Sequence, residues 1–206
     1  MNILIIGNGA REHVFFKLLT ESSIKTNLFS INPNAAIQKL STPIFKSFSF
    51  NLVKEIVKSS SIEMVIVGPE NPLIDGVYDF IKSDSELNHV SVIGPSRNGA
   101  QLEGSKKFAK DFMSRNNIPT ASSKTFTKET FSDACDFIKK SSAPYVLKAD
   151  GPAAGKGVVI LENVEDAIAE LTSMLIDSKF GESSKKVVIE EFLSGIEMSC
   201  FVIFDE

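Results

Sequence analysis

Cysteine is scarce in this chain of 206 residues: Cys135 and Cys200 stand far apart, and neither their spacing nor a neighbouring histidine suggests a metal site. They read as free, buried thiols in a reducing compartment. Arginine is scarce too, supplying only Arg11, Arg97 and Arg115 among 22 basic residues. Positive charge is in deficit, with a formal net charge of −4 and no basic stripe, which argues against a nucleic-acid partner. No run approaches the ~18 apolar residues of a membrane span. The N-terminus has neither the basic stretch nor the long apolar core of a secretory signal. These absences predict a cytoplasmic protein that engages neither membrane nor nucleic acid. What is present is ordinary for a soluble fold: 43% hydrophobic and 23% charged residues, in a length that holds one large domain or two small ones.

The first hundred residues alternate strand and helix patterns. Ile3-Leu4-Ile5-Ile6 is an apolar run of the kind buried on both faces of a sheet. Gly7-Asn8-Gly9-Ala10-Arg11-Glu12 follows, and then Val14, Phe15, Leu18 and Leu19 recur at helical spacing. Strand, glycine turn and helix open a nucleotide-type α/β domain. The dinucleotide fingerprint is incomplete, because Glu12 stands at the third-glycine position, so NAD is not expected. The helix N-terminus still offers N–H groups to one phosphate, and Arg11 can add a bidentate contact. Further strands are predicted over 27–31, 64–67 and 90–93, with helices over 50–59 and 76–82. Four strands joined through helices imply a parallel sheet with right-handed crossovers, whose ligands lie beyond the strand C-terminal ends. Asn8, Asn34 and Glu70 fall there, although each is also an ordinary turn former. A long helical pattern over 98–116 carries Lys106, Lys107 and Lys110.

Beyond residue 117 the pattern changes to a strand at 124–126, helices at 129–140 and 164–176, a polar loop at 177–186 and a strand at 187–192. That strand contains the paired carboxylates Glu190 and Glu191, and a last strand is predicted over 197–204. Between the helices, residues 145–160 read Y-V-L-K-A-D-G-P-A-A-G-K-G-V-V-I. Two β-rich runs flank a loop with Gly151, Gly155 and Gly157; Lys148 ends the first run and Lys156 lies inside the turn. Backbone N–H groups unobstructed by Cβ atoms suit anionic oxygens, and the lysines supply charge where phosphate requires it. The loop is not a Walker A box, since three residues separate Gly151 from Gly155 and Gly157 follows Lys156 in place of Ser or Thr. It leads into a strand, which makes it a hairpin lid over phosphates. An ordinary glycine-rich hairpin with solvated lysines fits the same letters.

Several words then line up in one order. They are Gly7-Asn8-Gly9 with Arg11-Glu12-His13, Gly68-Pro69-Glu70, Gln101-Leu102-Glu103-Gly104-Ser105-Lys106, Lys148-Ala149-Asp150-Gly151, Ala153-Ala154-Gly155-Lys156-Gly157-Val158 and Glu190-Glu191-Phe192-Leu193. Over essentially its whole length the chain closely resembles the N-terminal half of the phosphoribosylamine–glycine ligase (glycinamide ribonucleotide synthetase) family, ATP-grasp enzymes of purine synthesis. The resemblance implies a parallel-sheet, Rossmann-like α/β domain over 1–104 that helps bind phosphoribosylamine. It implies next the first part of an ATP-grasp α+β domain over 105–206, with a mobile lid over roughly 121–189. The implied reaction is ATP-dependent ligation of glycine to 5-phosphoribosylamine through a glycyl phosphate, giving glycinamide ribonucleotide, ADP and phosphate. In it Mg2+ and lysines stabilise the transferring phosphoryl.

By position, the resemblance implies that Lys106 and Lys148 reach the ATP phosphates while Gly151, Gly155, Lys156 and Gly157 close over them, Lys148 and Lys156 being catalytic. Glu190 and Leu193 would present hinge backbone to adenine, and Glu197 would hold the ribose hydroxyls. Asn8, Gly9, Arg11, Asn34 and Glu70 would face the phosphoribosylamine, with His13 structural. The metal ligands of the family are expected beyond residue 206. Three departures stand out: Ala10 replaces a glycine, Asn32-Pro33-Asn34-Ala35-Ala36 replaces Pro-Gly-Asn-Ala-Gly, and Pro152 replaces a leucine and stiffens the lid. Family members continue for about as many residues again. The chain therefore reads as the N-terminal half of an active ligase, as a truncated non-catalytic nucleotide-binding fragment, or as part of another ATP-grasp carboxylate–amine ligase.

Overall fold

Strand β1 (Asn2–Ile6) lies at the centre of a five-stranded sheet because it has no polar side to show: Ile3, Leu4, Ile5 and Ile6 are all buried. The computed structural model describes residues 1–153 and 155–200. It divides into two compact units, Met1–Gly104 and Ser105–Glu206. In the first, β1 is followed by α1 (Ala10–Thr20), β2 (Asn27–Ile31), α2 (Ala35–Gln38), β3 (Thr42–Ile44) and α3 (Phe50–Ser59). Then come β4 (Met64–Val67), α4 (Glu70–Asp75), α5 (Val77–Ser83), β5 (Ser91–Ile93) and α6 (Arg97–Gly104).

The sheet order is β3-β2-β1-β4-β5, and every neighbouring pair is parallel. Ile3 and Ile5 pack with Phe16 of α1 and Ile37 of α2, while Leu4 and Ile6 pack with Val53, Ile56 and Ile81 from α3 and α5. Helices on both faces of a parallel sheet make this unit doubly wound. It has one strand more than the four expected, since β3 contains only three residues and one is Pro43. Pro43 cannot donate to a ladder, and an edge position tolerates that. Glu70, read as a turn former, instead opens α4, with Pro72 in its first turn where no N–H is required. The face of α1 also differs from expectation. Phe16 and Glu12 are buried, whereas Val14, Phe15 and Leu18 are exposed.

The expected helix over 98–116 is two helices. Ser105 takes an extended conformation (φ −144°, ψ 118°), and its hydroxyl accepts the Phe108 N–H to cap α7 (Lys106–Arg115). The second unit continues with β6 (Ser123–Thr127), α8 (Phe131–Lys140), β7 (Tyr145–Ala149), β8 (Val158–Leu161), α9 (Val164–Leu175) and β9 (Lys186–Glu191). Its sheet, β6-β9-β7-β8, is antiparallel throughout, so the β7–β8 hairpin is present. Side-chain alternation sorts its two faces. Tyr145, Leu147, Val187 and Ile189 pack with Ala134 and Ile138 of α8 and Leu171 and Met174 of α9. Val146, Lys148, Val188 and Glu190 share the opposite face.

The strand expected over 197–204 is not found over 192–200, which are exposed and carry no ladder; residues 201–204 lie outside the described residues. Both cysteines are free, as expected, but only Cys135 is partly buried, and burial pushes its thiol above the ordinary value. Cys200, in the segment after β9, is exposed.

Candidate functional site

In the first unit the C-terminal ends of β1, β2 and β4 open on a recess of about 300 Å³. Gly7, Asn8, Asn32, Phe48, Pro69 and Asn71 are among its lining residues. The backbone at Gly7 has φ +119°, and a Cβ there would lie 2.7 Å from the Glu12 side chain and 2.8 Å from the Pro69 ring. A Cβ at Gly68 would fall on the same carboxyl group. Glu12 thus fills a niche between two glycines, is 5% exposed, and accepts the Gly9 N–H at 2.7 Å. That bond commits the Gly9 amide, one of the donors a phosphate would use at this helix start.

Asn8 and Asn34 meet at the rim. The Asn34 Nδ2 donates to the Asn8 carbonyl at 2.6 Å, while its Oδ1 accepts the Ala36 and Ile37 N–H groups at 2.9 and 3.0 Å and so caps α2. Asn8 donates in turn to the Asn32 carbonyl. The Asn34 side chain is therefore occupied in shaping the rim. Arg11 and Glu70 stand exposed in the first turns of α1 and α4.

The second unit gathers charge on the open face of its sheet. Register pairs Val146 with Glu190 and Lys148 with Val188, which brings the Lys148 Nζ to 2.8 Å from the Glu190 carboxylate. Lys110, from α7, reaches the same oxygen at 3.3 Å and donates to Thr120 Oγ1 and the Ala121 carbonyl, both at 2.8 Å. Sequence reasoning gave Glu190 only a backbone role and left Lys110 as a lysine on a helix. Its spacing from Lys106, one helical turn on, was the available signal. Glu191 points elsewhere, accepting the Ser122 N–H at 2.9 Å, a bond that holds its carboxyl below the ordinary carboxylate range.

Asp150 was also missed. Its carboxylate accepts the Ser105 hydroxyl at 3.0 Å and the Lys107 N–H at 2.7 Å, and its carbonyl accepts the Lys106 N–H at 3.1 Å. The Lys106 Nζ lies 3.4 Å from the carbonyls of Asp150 and Gly151. Asp150 thereby fixes Lys106 at the entrance to the glycine loop.

Within that loop Gly155 has φ +76°, a conformation L side chains rarely adopt. The Gly151 N–H is given to the Ser183 carbonyl at 3.1 Å, the Ser183 hydroxyl donates to the Pro152 carbonyl at 2.6 Å, and the Lys156 N–H goes to the Ala153 carbonyl at 2.9 Å. Two of the amides expected to cradle an anion are thus engaged in the loop itself. Lys156 is exposed and Gly157 is buried. Val158 and Ile160, opposite Lys148 and Val146, are 46% and 50% exposed, so an apolar strip runs beside the Lys148 cation. Leu193 and Glu197 lie in the exposed segment after β9, and among the described residues no hydrogen bond or ion pair ties either to the lysine cluster.

The chain matches the family model for the N domain of phosphoribosylglycinamide synthetase over residues 1–103 and that for its ATP-grasp (A) domain over residues 104–206. It is 40% identical over 201 residues to a phosphoribosylamine–glycine ligase of Listeria monocytogenes, covering 97% of this chain and 46% of that protein. The crystal structure of the phosphoribosylamine–glycine ligase of Thermotoga maritima superposes with a TM-score of 0.71 at 29% identity, over 95% of this chain and 45% of the other. A fold likeness extends to the biotin carboxylase domain of the Hydrogenobacter thermophilus 2-oxoglutarate carboxylase, solved with MgADP, at TM-score 0.70 and 16% identity, over 93% of this chain and 44% of that one. The chain spans about half the length of the curated ligase it matches. With one synthetase model matching each half of its length, the chain belongs to the phosphoribosylglycinamide synthetase family.

Proposed function

We propose that this chain is the phosphoribosylamine- and nucleotide-handling part of a ligase that joins glycine to 5-phosphoribosylamine at the expense of ATP. Beside the family membership, the observation that carries the reading is the Lys148 ammonium on an open sheet face at the foot of the glycine loop. Lys148 and Lys106 bind the phosphates, and the loop over 151–157, with Lys156, closes on them as part of a lid over roughly 121–189. The apolar strip of Val158 and Ile160 suits one face of a planar base, with the Glu190 and Leu193 backbone at its edge and Glu197 on the ribose. Gly9, Arg11 and Glu70 face the phosphoribosylamine, on a rim shaped by Asn8 and Asn34. This assigns the substrate role to residues 1–104 and the nucleotide role to 105–206.

In the reaction a glycine carboxylate oxygen bonds to the γ-phosphorus as the bond to ADP breaks. The phosphoribosylamine nitrogen then attacks the glycyl carbonyl and phosphate leaves, which divides one difficult acylation into two easier steps. Lysine ammonium groups offset the charge that spreads over the phosphoryl oxygens. When bound, Mg2+ would supply further positive charge to the same end. Among the described residues no group of three or more His, Cys, Asp or Glu side chains could hold a metal ion, so none of them is assigned to it.

The test is ADP release by the chain continued to the length of its relatives. Release should require glycine and phosphoribosylamine together. Release supported only by a different amine identifies another carboxylate–amine ligase, and no release with any acceptor sinks the ligase reading.

The loop should respond to nucleotide unevenly. Amide exchange at Gly155 and Gly157 is expected to slow when MgATP binds, while Gly151, already bonded to Ser183, changes little. Full protection of Gly155 and Gly157 without nucleotide would mark the hairpin as static.

A further inference from the structure

The ligase reading makes no use of Lys110, yet this is the most tightly held ammonium of the cluster. It donates to Thr120 Oγ1 and the Ala121 carbonyl and forms an ion pair with the Glu190 carboxylate. Its side chain is 13% exposed, so it does not swing out to a ligand without abandoning those bonds. Lys148 is placed differently. Among the described residues its ammonium pairs with Glu190 alone, and its side chain is 27% exposed.

Glu190 lies between them with its side chain 5% exposed. If Lys148 were its only partner, the pair would be neutral. A phosphate drawing Lys148 away would then strand a buried carboxylate, a costly outcome. With Lys110 fixed on the same oxygen, Glu190 keeps a partner whatever Lys148 does. The three groups carry two formal positive charges against one negative, and the surplus resides on the lysine that can reach a ligand.

We propose that Lys110 is a positioning residue of the phosphate site: it balances the Glu190 carboxylate so that Lys148 keeps its charge for the nucleotide phosphates. The proposal rests on the nucleotide reading above and adds a determinant to it.

A charge-neutralisation cycle tests it, using calorimetric titration of MgATP into the chain continued to the length of its relatives. Lys110→Gln keeps a donor near Thr120 and Ala121 but removes the charge, and should weaken MgATP about tenfold. Adding Glu190→Gln removes the carboxylate that then captures Lys148, and should restore binding to within about threefold of the parent. Lys110→Arg, which keeps the charge, should also stay within about threefold. A role in folding alone predicts the opposite sign for the cycle, because the double variant would lose one more buried contact. Unchanged binding in Lys110→Gln, or a double variant as weak as the single, overturns the proposal. If the glutamine variant does not melt cooperatively, Lys110→Met carries the same cycle. Failure of the nucleotide reading itself looks different, since the parent protein would then take up no MgATP.

Discussion

Lys148→Ala lowers the affinity for MgATP about 10- to 100-fold and leaves the affinity for phosphoribosylamine near its parent value. The estimate is a lost charge-assisted hydrogen bond, worth roughly 1.5–3 kcal/mol. Removing one member of a buried ion pair often unfolds the site, because the other charge is stranded. Here Glu190 retains Lys110 at 3.3 Å, so the fold is expected to survive and the loss to appear in binding. What the variant removes is the surplus cation of the cluster: Lys110 and Glu190 then cancel. Calorimetry against MgATP and, separately, against a stable phosphoribosylamine analogue reads both arms. Equal weakening of the two ligands would point to general loss of structure, and unchanged MgATP affinity would remove Lys148 from the phosphate site.

Gly7→Ala is the most damaging single methyl group expected in the first unit. At φ +119° an L side chain is strained, and the added Cβ would sit 2.7 Å from Glu12 and 2.8 Å from Pro69. Strain and overpacking together should cost about 3 kcal/mol or more, a drop of roughly 10–20 °C in melting temperature for a domain of this size. Gly68→Ala should cost less, about 1–3 kcal/mol, because its backbone is not left-handed and its three nearest atoms all belong to the Glu12 side chain. The two separate cleanly in a Glu12→Ala background. Emptying the niche should relieve most of the Gly68→Ala penalty but little of that of Gly7→Ala, whose strain and Pro69 contact persist. Scanning calorimetry of the four combinations checks this, and equal relief at both positions would show that Glu12 is the whole cause.

Much of the fold was legible where one physical signal dominated. The buried run of β1, the hairpin around the glycine loop and the cores of α3, α8 and α9 all follow from apolar spacing. Three residues including a proline could not announce β3. The inward face of α1 was misread because Val14, Phe15 and Leu18 keep helical spacing as well, while Glu12 is buried in a niche between Gly7 and the distant Gly68. The stop at Ser105 hides inside a continuous helical pattern, and only its capping letter marks it.

The site divides along the same line. Lys148, Lys156 and the glycines stand together in the chain, so their grouping could be read from letters. The meeting of Lys110, Lys148 and Glu190 depends on the β7–β9 register and on where α7 begins, and neither is written in local sequence. Asp150 was likewise visible inside its motif, but its partners lie more than forty residues upstream.

That last separation bears on the order in which the second unit assembles. Helix α7 has ten residues, none fully buried, and a helix so short and so poorly packed does not persist alone in water. Its first turn is tied off by an aspartate 43 to 45 positions later in the chain, at the end of β7. Closing a loop of that length is an entropic debt that local structure cannot meet. α7 is therefore expected to consolidate after β7 has entered its sheet. Lys106, whose N–H is given to the Asp150 carbonyl, is then expected to lose its fixed position when that contact opens, which amide exchange at Lys106 and Lys107 reads.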